Sequence, residues 1–104
     1  MAIIMHGNSN KNPKEHHLYE IKDQDENDTF KYGISADQIN ADGKSPRAES
    51  QVKLFNILAG KVKYCAEILL KNIMGQEAAR KIEKKHIKEY ESKHGQKPKG
   101  NLRD

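Results

Sequence analysis

The feature that most constrains this chain is a helical pattern over residues 76–93 that places a carboxylate on the packing side. Residues three and four apart share one face of a helix, so Ala79, Glu83, Ile87 and Tyr90 fall in a single row. The basic residues of this stretch are predicted on the far side, where a surface helix keeps its charges: Arg80, Lys81, Lys84, Lys85 and Lys88. An unpaired charge at the edge of a core is costly, so Glu83 needs either a Lys or Arg partner or a metal-binding or catalytic role.

Two short strands are predicted in the first half of the chain, HLYEIK at 17–22 and DTFKYGIS at 28–35. Both are rich in Tyr, Phe and Ile, and the polar segment DQDEN separates them, which is typical of a β-hairpin. Gly33 lies inside the second strand, where a glycine indicates a bulge or a close approach of the backbone to a ligand.

A helix and a further strand are predicted in the middle of the chain. Ser45 followed by Pro46 is a typical helix start, and Gly60 is a typical stop. The inner side of the helix at 46–59 is predicted to comprise Val52, Phe55, Leu58 and Ala59. The stretch at 61–70 alternates as a strand does, with one side formed by Val62, Tyr64, Ala66, Ile68 and Leu70. The order β-β-α-β-α predicts an α+β fold with a small, three-stranded, mainly antiparallel sheet flanked by helices.

The chain has 104 residues, which predicts one domain: a flexible lead-in at 1–15 and a folded domain at 16–104. No run approaches the roughly 20 apolar residues of a membrane span, so no membrane partner is expected. Residues 1–45 contain 5 lysines against 8 acidic residues, whereas residues 46–104 contain 14 basic residues against 7 acidic ones. This basic second half favours nucleic acid as the partner.

Several kinds of site are disfavoured by the sequence. Cys65 is the only cysteine, which excludes an intrachain disulfide and a zinc site built from thiols. The histidines lack zinc-ligand spacing, and no Walker loop or G-x-S-x-G motif is present. The segment DQDEND at 23–28 has the spacing that begins a calcium loop, but Asp28 and Ile34 stand where Gly and Glu are required. A solvated hairpin loop is the better interpretation.

Five features follow one another along the chain: HLY at 17–19, KYGIS at 31–35, Arg47, AARKIEKKHIKEY at 78–90 and PKGN at 98–101. This order resembles that of the GIY-YIG (URI-type) nuclease superfamily. In that family two strand tripeptides precede an arginine, a helical glutamate and a late asparagine. The resemblance covers nearly all of the predicted domain and implies the GIY-YIG-like fold.

The tripeptides depart from the family pattern. His17 stands where the family has the first glycine, and an ungapped match puts Lys31 at the second tyrosine and Tyr32 at the following isoleucine. Since strands alternate faces, either Lys31 occupies the site or a bulge near Gly33 brings Tyr32 round. Both interpretations stay open at this point.

The resemblance implies a metal-dependent endonuclease that hydrolyses phosphodiester bonds. Glu83 would hold one divalent cation, Mg²⁺ or Mn²⁺, and Arg47 would bind the phosphate. Tyr19, with Lys31 or Tyr32, would orient or deprotonate the water, and Asn101 would bind in or buttress the site. The predicted catalytic residues are thus Tyr19, Lys31, Tyr32, Arg47, Glu83 and Asn101. The nucleic-acid backbone would be held by Lys53, Lys84, Lys85 and Lys88.

So small a domain is expected to cut DNA, or RNA, with little sequence preference. The favoured context is the nuclease toxin domain of a bacterial polymorphic toxin: secreted or translocated, active in the target-cell cytoplasm, and neutralised by an immunity protein. Outside that context the protein would be cytoplasmic. The alternatives are a non-catalytic basic nucleic-acid-binding module, in which Glu83 is structural, and a protein-interaction domain whose basic helix meets an acidic partner.

Overall fold

A computed structural model of the protein describes residues 14–102. Its three strands form one antiparallel sheet: β1 Glu15–Asp23, β2 Asp28–Ser35 and β3 Tyr64–Met74. Their spatial order is β2-β1-β3, so β1 is central and β2 is an edge strand. Together with two helices this confirms the predicted α+β fold and its β-β-α-β-α order. Most of the predicted lead-in, residues 1–13, lies outside the described residues.

Both helices begin and end close to where the sequence predicts. The first, α1, spans Pro46–Ala59, with Ser45 as its N-cap and Gly60 in the left-handed conformation at its end. The second, α2, spans Gln76–His94 and ends at Gly95, which is also left-handed. A glycine after the last turn adopts this conformation without the steric cost that a Cβ imposes.

The two helices cover opposite faces of the sheet, because successive side chains of β1 point to opposite sides. Tyr19 and Ile21 pack with Ala48 and Val52 of α1 in one buried cluster. Leu18 of β1 packs in a second buried cluster that includes Ala79 and Ile82 of α2. The fold therefore has three layers, α1 over the sheet over α2.

The start of β3 and the end of the α1 packing side differ from the prediction. β3 begins at Tyr64, and Val62 before it is 81% exposed. Asn56 accounts for this start, since its Oδ1 accepts hydrogen bonds from the backbone N–H groups of Lys63 and Tyr64. Leu58, predicted on the inner side of the helix, is 75% exposed. The packing side of α1 thus ends one turn early.

A β-bulge at Phe30 interrupts the pairing of β1 and β2. Ile21 pairs with Lys31 and Lys22 pairs with Thr29, which leaves Phe30 as the extra residue. Phe30 packs against Phe55 of α1. Beyond the bulge the pairing is regular through Gly33, so the bulge lies before Lys31 and not near the glycine.

Neither helix within residues 14–102 has the length and apolar content that crossing a membrane requires.

Candidate active-site cleft

A cleft of about 690 Å³ opens where α1, the β1–β2 hairpin and α2 meet. It brings together four of the predicted catalytic residues from four separate elements: Tyr19, Lys31, Arg47 and Glu83. Tyr19 is only 1% exposed and forms part of the floor. Arg47 is exposed, while Lys31 and Glu83 are half-buried. Residues far apart in the sequence thus face one space.

Gly33 is the residue that makes room for Tyr19. The two residues are opposite each other in the β1–β2 ladder. A Cβ built on Gly33 would lie 2.3 Å from both Cζ and the hydroxyl oxygen of Tyr19. No side chain fits at that distance, so the phenol lies directly over the glycine backbone. The group that closely approaches the Gly33 backbone is therefore the Tyr19 ring, whereas the sequence predicted a bulge or a ligand at this position.

The charges around Tyr19 shift its pKa in opposite directions. Burial raises the pKa of Tyr19, and the negative charge of Glu83 raises it further. The charge of Arg47 and hydrogen bonding by Arg47 and Gln51 lower this pKa without offsetting the burial. Since the ordinary pKa of a tyrosine is already 10.0, Tyr19 is a neutral phenol at pH 7. Its hydroxyl donates a hydrogen bond to Oε1 of Gln51 at 3.2 Å.

The first turn of α1, which carries Arg47, is fixed by a buried pair. The Ser45 Oγ accepts a hydrogen bond from the Ala48 N–H at 3.2 Å and lies 2.7 Å from Nε2 of His17. His17 is 2% exposed, and this burial lowers its pKa. The pKa is raised in part by the charge of Asp37 and lowered by His16. The neutral imidazole therefore ties β1 to the start of α1.

Lys31 and Tyr32, the two candidates for one site position, lie on opposite faces of β2. Lys31 lines the cleft. Tyr32 instead lines a second cavity of about 480 Å³, beneath α2. Its ring centroid lies 5.4 Å from that of His86, and Tyr32 pairs with Glu20 across the ladder. Since the bulge precedes Lys31, the alternation after it turns Tyr32 away from the cleft.

Asn101 supports the edge strand instead of lining the cleft wall. Its Oδ1 accepts from the Tyr32 N–H at 2.8 Å, and its Nδ2 donates to the Tyr32 carbonyl at 2.9 Å. Asn101 is 0% exposed. The Asn101 side chain thus satisfies the backbone hydrogen-bonding groups of Tyr32 on the outer edge of β2. This contact agrees with the buttressing role that the resemblance implies.

The structure adds cleft residues that the sequence analysis missed or placed elsewhere. Arg80 and Lys84 were predicted on the far side of α2, but both line the cleft. They lie three residues before and one residue after Glu83, so the cleft faces a wider arc of the helix than one row. Gln51 also lines the cleft and was given no role. Its spacing of four from Arg47 on a helix was the available signal.

A shallow groove of about 410 Å³ runs along α2 beside the cleft. Its basic residues are Lys81, Lys84, Lys85 and Lys88. Lys84 lines both the groove and the cleft, so the two lie next to each other. The remaining predicted backbone-binding residue, Lys53, is exposed on α1.

The oxygen donors of the cleft are few. Glu83 and Asp37 both line it. Within residues 14–102, no group of three or more His, Cys, Asp or Glu side chains is arranged to hold a metal ion. This donor set does not suit a metal enclosed by protein ligands. It fits a cation such as Mg²⁺, which keeps several waters and needs only one or two carboxylates beside the substrate phosphate.

Comparison with known proteins gives one match. The family described as Tox-URI2, URI fold toxin 2, matches residues 9–95. This span includes Tyr19, Lys31, Arg47 and Glu83 and ends before Asn101. Searches of curated proteins and of solved structures gave no match.

Proposed function

Because the chain belongs to the URI fold toxin 2 family, whose fold is a GIY-YIG-like nuclease toxin fold, we propose that it is a divalent-metal-dependent endonuclease. It hydrolyses DNA with little sequence preference and acts as an antibacterial toxin domain. In this proposal it is secreted or translocated into a target cell, and an immunity protein neutralises it in the producing cell. The family supports a toxic nuclease function; the metal, the substrate, the partner and the route of delivery are parts of the proposal.

The observation that carries the proposal is the convergence of Tyr19, Lys31, Arg47 and Glu83 on one cleft. These residues come from β1, β2, α1 and α2. In phosphodiester hydrolysis a water oxygen bonds to phosphorus, the bond to the leaving oxygen breaks, and a proton moves from the water to the leaving oxygen. The four side chains supply the chemical groups that these changes need.

Arg47 and Lys31 bind the phosphate that is cut. The Arg47 guanidinium is exposed at the cleft and always charged, and its planar fork matches two phosphate oxygens. Lys31 adds a second cation on the facing strand. Cations placed where negative charge develops stabilise the transition state more than the ground state. They also restrict the orientation of the scissile bond.

Tyr19 orients the attacking water through its phenol oxygen. Because the phenol is neutral at pH 7, it serves first as a hydrogen-bonding group. To act as a general base it must lose its proton, which nearby positive charge such as that of Arg47 favours. The ring is held in place by its burial over Gly33.

Glu83 holds the divalent cation. It is half-buried at the edge of the cleft, near enough to Tyr19 for its charge to raise the pKa of that phenol. A Mg²⁺ or Mn²⁺ ion bound there would supply Lewis-acid stabilisation of the phosphate oxygens. The remaining cleft residues bind and orient the substrate around that carboxylate.

The lysine groove along α2 supports a path for the rest of the substrate. It adjoins the cleft at Lys84, which lines both, and it carries the predicted backbone-binding residues Lys85 and Lys88. Lysine side chains bind phosphates as point charges and do not read bases. A nucleic-acid strand that is held in this way is cut without strong sequence preference.

The proposal is tested by incubating the purified protein with supercoiled plasmid in Mg²⁺, in Mn²⁺ and in EDTA, beside an RNA of similar length. We expect nicked and linear plasmid with either metal and none with EDTA. Glu83→Gln should lower the rate by about 100-fold or more, the usual scale for losing a group that stabilises the transition state.

The matched control is Glu91→Gln, the same change on the same helix at an exposed residue that lines neither the cleft, nor the groove, nor the second cavity. It should leave the rate within about twofold, as surface substitutions usually do. A folded protein that cuts neither DNA nor RNA would contradict the nuclease proposal. If that protein still bound nucleic acid in a salt-dependent manner, and Glu83→Gln did not change the affinity, the basic binding module would replace it.

A further inference from the structure

Gln51 is a polar residue of the cleft with one defined contact. It lies on α1 one helical turn after Arg47 and is half-buried. Its Oε1 accepts the hydrogen bond that the Tyr19 hydroxyl donates, at 3.2 Å. The two residues are 32 positions apart in the sequence, so their contact depends on the packing of α1 against the sheet.

The position of the Tyr19 ring does not depend on this hydrogen bond. The ring is 1% exposed, lies over Gly33, and packs with Ala48 and Val52. The hydroxyl hydrogen, by contrast, rotates about the C–O bond and takes the direction of the best acceptor. Gln51 therefore controls the direction of the O–H bond and leaves the location of the ring to packing.

That direction decides what the phenol oxygen can accept. When the Tyr19 hydroxyl donates its hydrogen bond to Gln51, the phenol oxygen keeps its lone pairs for donors on the cleft side. Arg47 lines the same cleft and carries guanidinium N–H groups that can donate there. An attacking water would be another donor. If the hydroxyl turned away from Gln51, its hydrogen would compete for the same space.

We propose that Gln51 is a positioning residue for Tyr19: its Oε1 accepts the hydrogen bond that the Tyr19 hydroxyl donates, so that the phenol oxygen faces the substrate and the attacking water as an acceptor. This inference rests on the proposed nuclease function. Gln51 acts through Tyr19 and does not bind the phosphate, so its contribution belongs to the chemical step and not to substrate binding.

The test is a double-mutant cycle on plasmid cleavage with Gln51→Met and Tyr19→Phe. Methionine has nearly the length of glutamine but is a poor acceptor. Gln51→Met should lower kcat about tenfold, the scale of one hydrogen bond in the transition state, with KM within about twofold. In the Tyr19→Phe background it should cause no further loss. Gln38→Met, at an exposed residue of the loop before α1, is the control and should leave kcat unchanged.

Unfolding in urea checks that each variant is folded, and Gln51→Met should retain most of the wild-type stability because the ring packing remains. Equal losses of kcat in both backgrounds would overturn the positioning role, as would a loss confined to KM or no loss at all. These outcomes differ from a failure of the nuclease proposal, in which the wild-type protein itself does not cut.

Discussion

Two tyrosines on neighbouring strands of this protein have opposite surroundings. Tyr19 lies on the α1 face, 1% exposed, with Arg47 and Gln51 around its hydroxyl. Tyr32 lies on the α2 face, half-buried beside His86. Burial raises the pKa of both phenols, but Arg47 lowers that of Tyr19, whereas acidic residues raise that of Tyr32. Of the two tyrosines, Tyr19 lines the cleft beside Arg47, whereas Tyr32 lines the second cavity.

The cleft and the second cavity also differ in the charges that line them. The cleft collects four cations around Glu83: Lys31, Arg47, Arg80 and Lys84. The second cavity is lined by four carboxylates, Glu20, Asp23, Asp28 and Glu89, beside its own basic residues. A polyanion is attracted to the first and repelled by the carboxylates of the second. The side of the sheet on which a residue lies, more than its type, therefore decides which charges surround it.

The largest effect on the α1 face is expected from Gly33→Ala. The new Cβ would occupy the position of the Tyr19 phenol, so the ring must move and the α1-side core must shift with it. We expect a loss of about 3 kcal/mol in the free energy of unfolding, typical of overpacking, together with loss of cleavage. Urea unfolding monitored by circular dichroism measures the first effect. In a Tyr19→Ala background the additional cost should largely vanish, and an equal cost there would contradict the clash.

The two faces are contrasted most directly by one chemical change made on both, Tyr19→Phe and Tyr32→Phe. Loss of the Tyr19 hydroxyl should lower kcat by about 100-fold, the lower range for removing a group that handles the reacting proton. Tyr32→Phe should change it by no more than about twofold. Initial rates of plasmid cleavage by the two variants measure both losses. A larger loss for Tyr32→Phe would move the active site to the α2 face.

A smaller effect is expected from Asn101→Ala, which acts on the strand between the two faces. The substitution leaves the N–H and carbonyl of Tyr32 without their side-chain partner. We expect a loss of about 2 kcal/mol in the free energy of unfolding, since buried backbone groups lose their hydrogen bonds. Asn40→Ala, at an exposed loop residue, is the matched control. Equal stabilities of the two variants would show that Asn101 does not hold β2.

The smallest effect concerns pH and the His17–Ser45 pair. The pKa of His17 in the folded protein is below the ordinary histidine value of 6.5. As pH falls below 6.5, the unfolded chain takes up a proton that the folded protein does not, so stability decreases until the lowered pKa is passed. We expect the unfolding free energy of the wild type to decrease, as the pH is lowered from 6.5, more steeply than that of His17→Gln. Parallel slopes would contradict a buried neutral His17.

Local sequence patterns were sufficient to predict the elements of the fold. The first helix begins at Ser45 and Pro46 and ends at Gly60, as predicted. The second helix lies between Gly75 and Gly95, also as predicted. These signals work because capping and left-handed turns depend on a few neighbouring residues. The start of β3 was misplaced because it depends on Asn56, a residue of α1 whose side chain binds the next strand.

The candidate site was predicted in part. The row through Glu83 and the order of Tyr19, Arg47 and Glu83 along the chain were sufficient to nominate residues that the structure brings to one cleft. Arg80 and Gln51 were missed because helical periodicity gives the face of one helix and not the angle at which it meets a sheet.

The amino-acid sequence alone therefore determines the set of elements, their order and the residue types available for phosphate chemistry. Which of Lys31 and Tyr32 lines the cleft was decided only by the folded chain. It depended on the bulge at Phe30, because this extra residue determines which side chains of β2 face α1. Because strand side chains alternate, a shift of one residue exchanges the two faces, and only the packed sheet fixes that register.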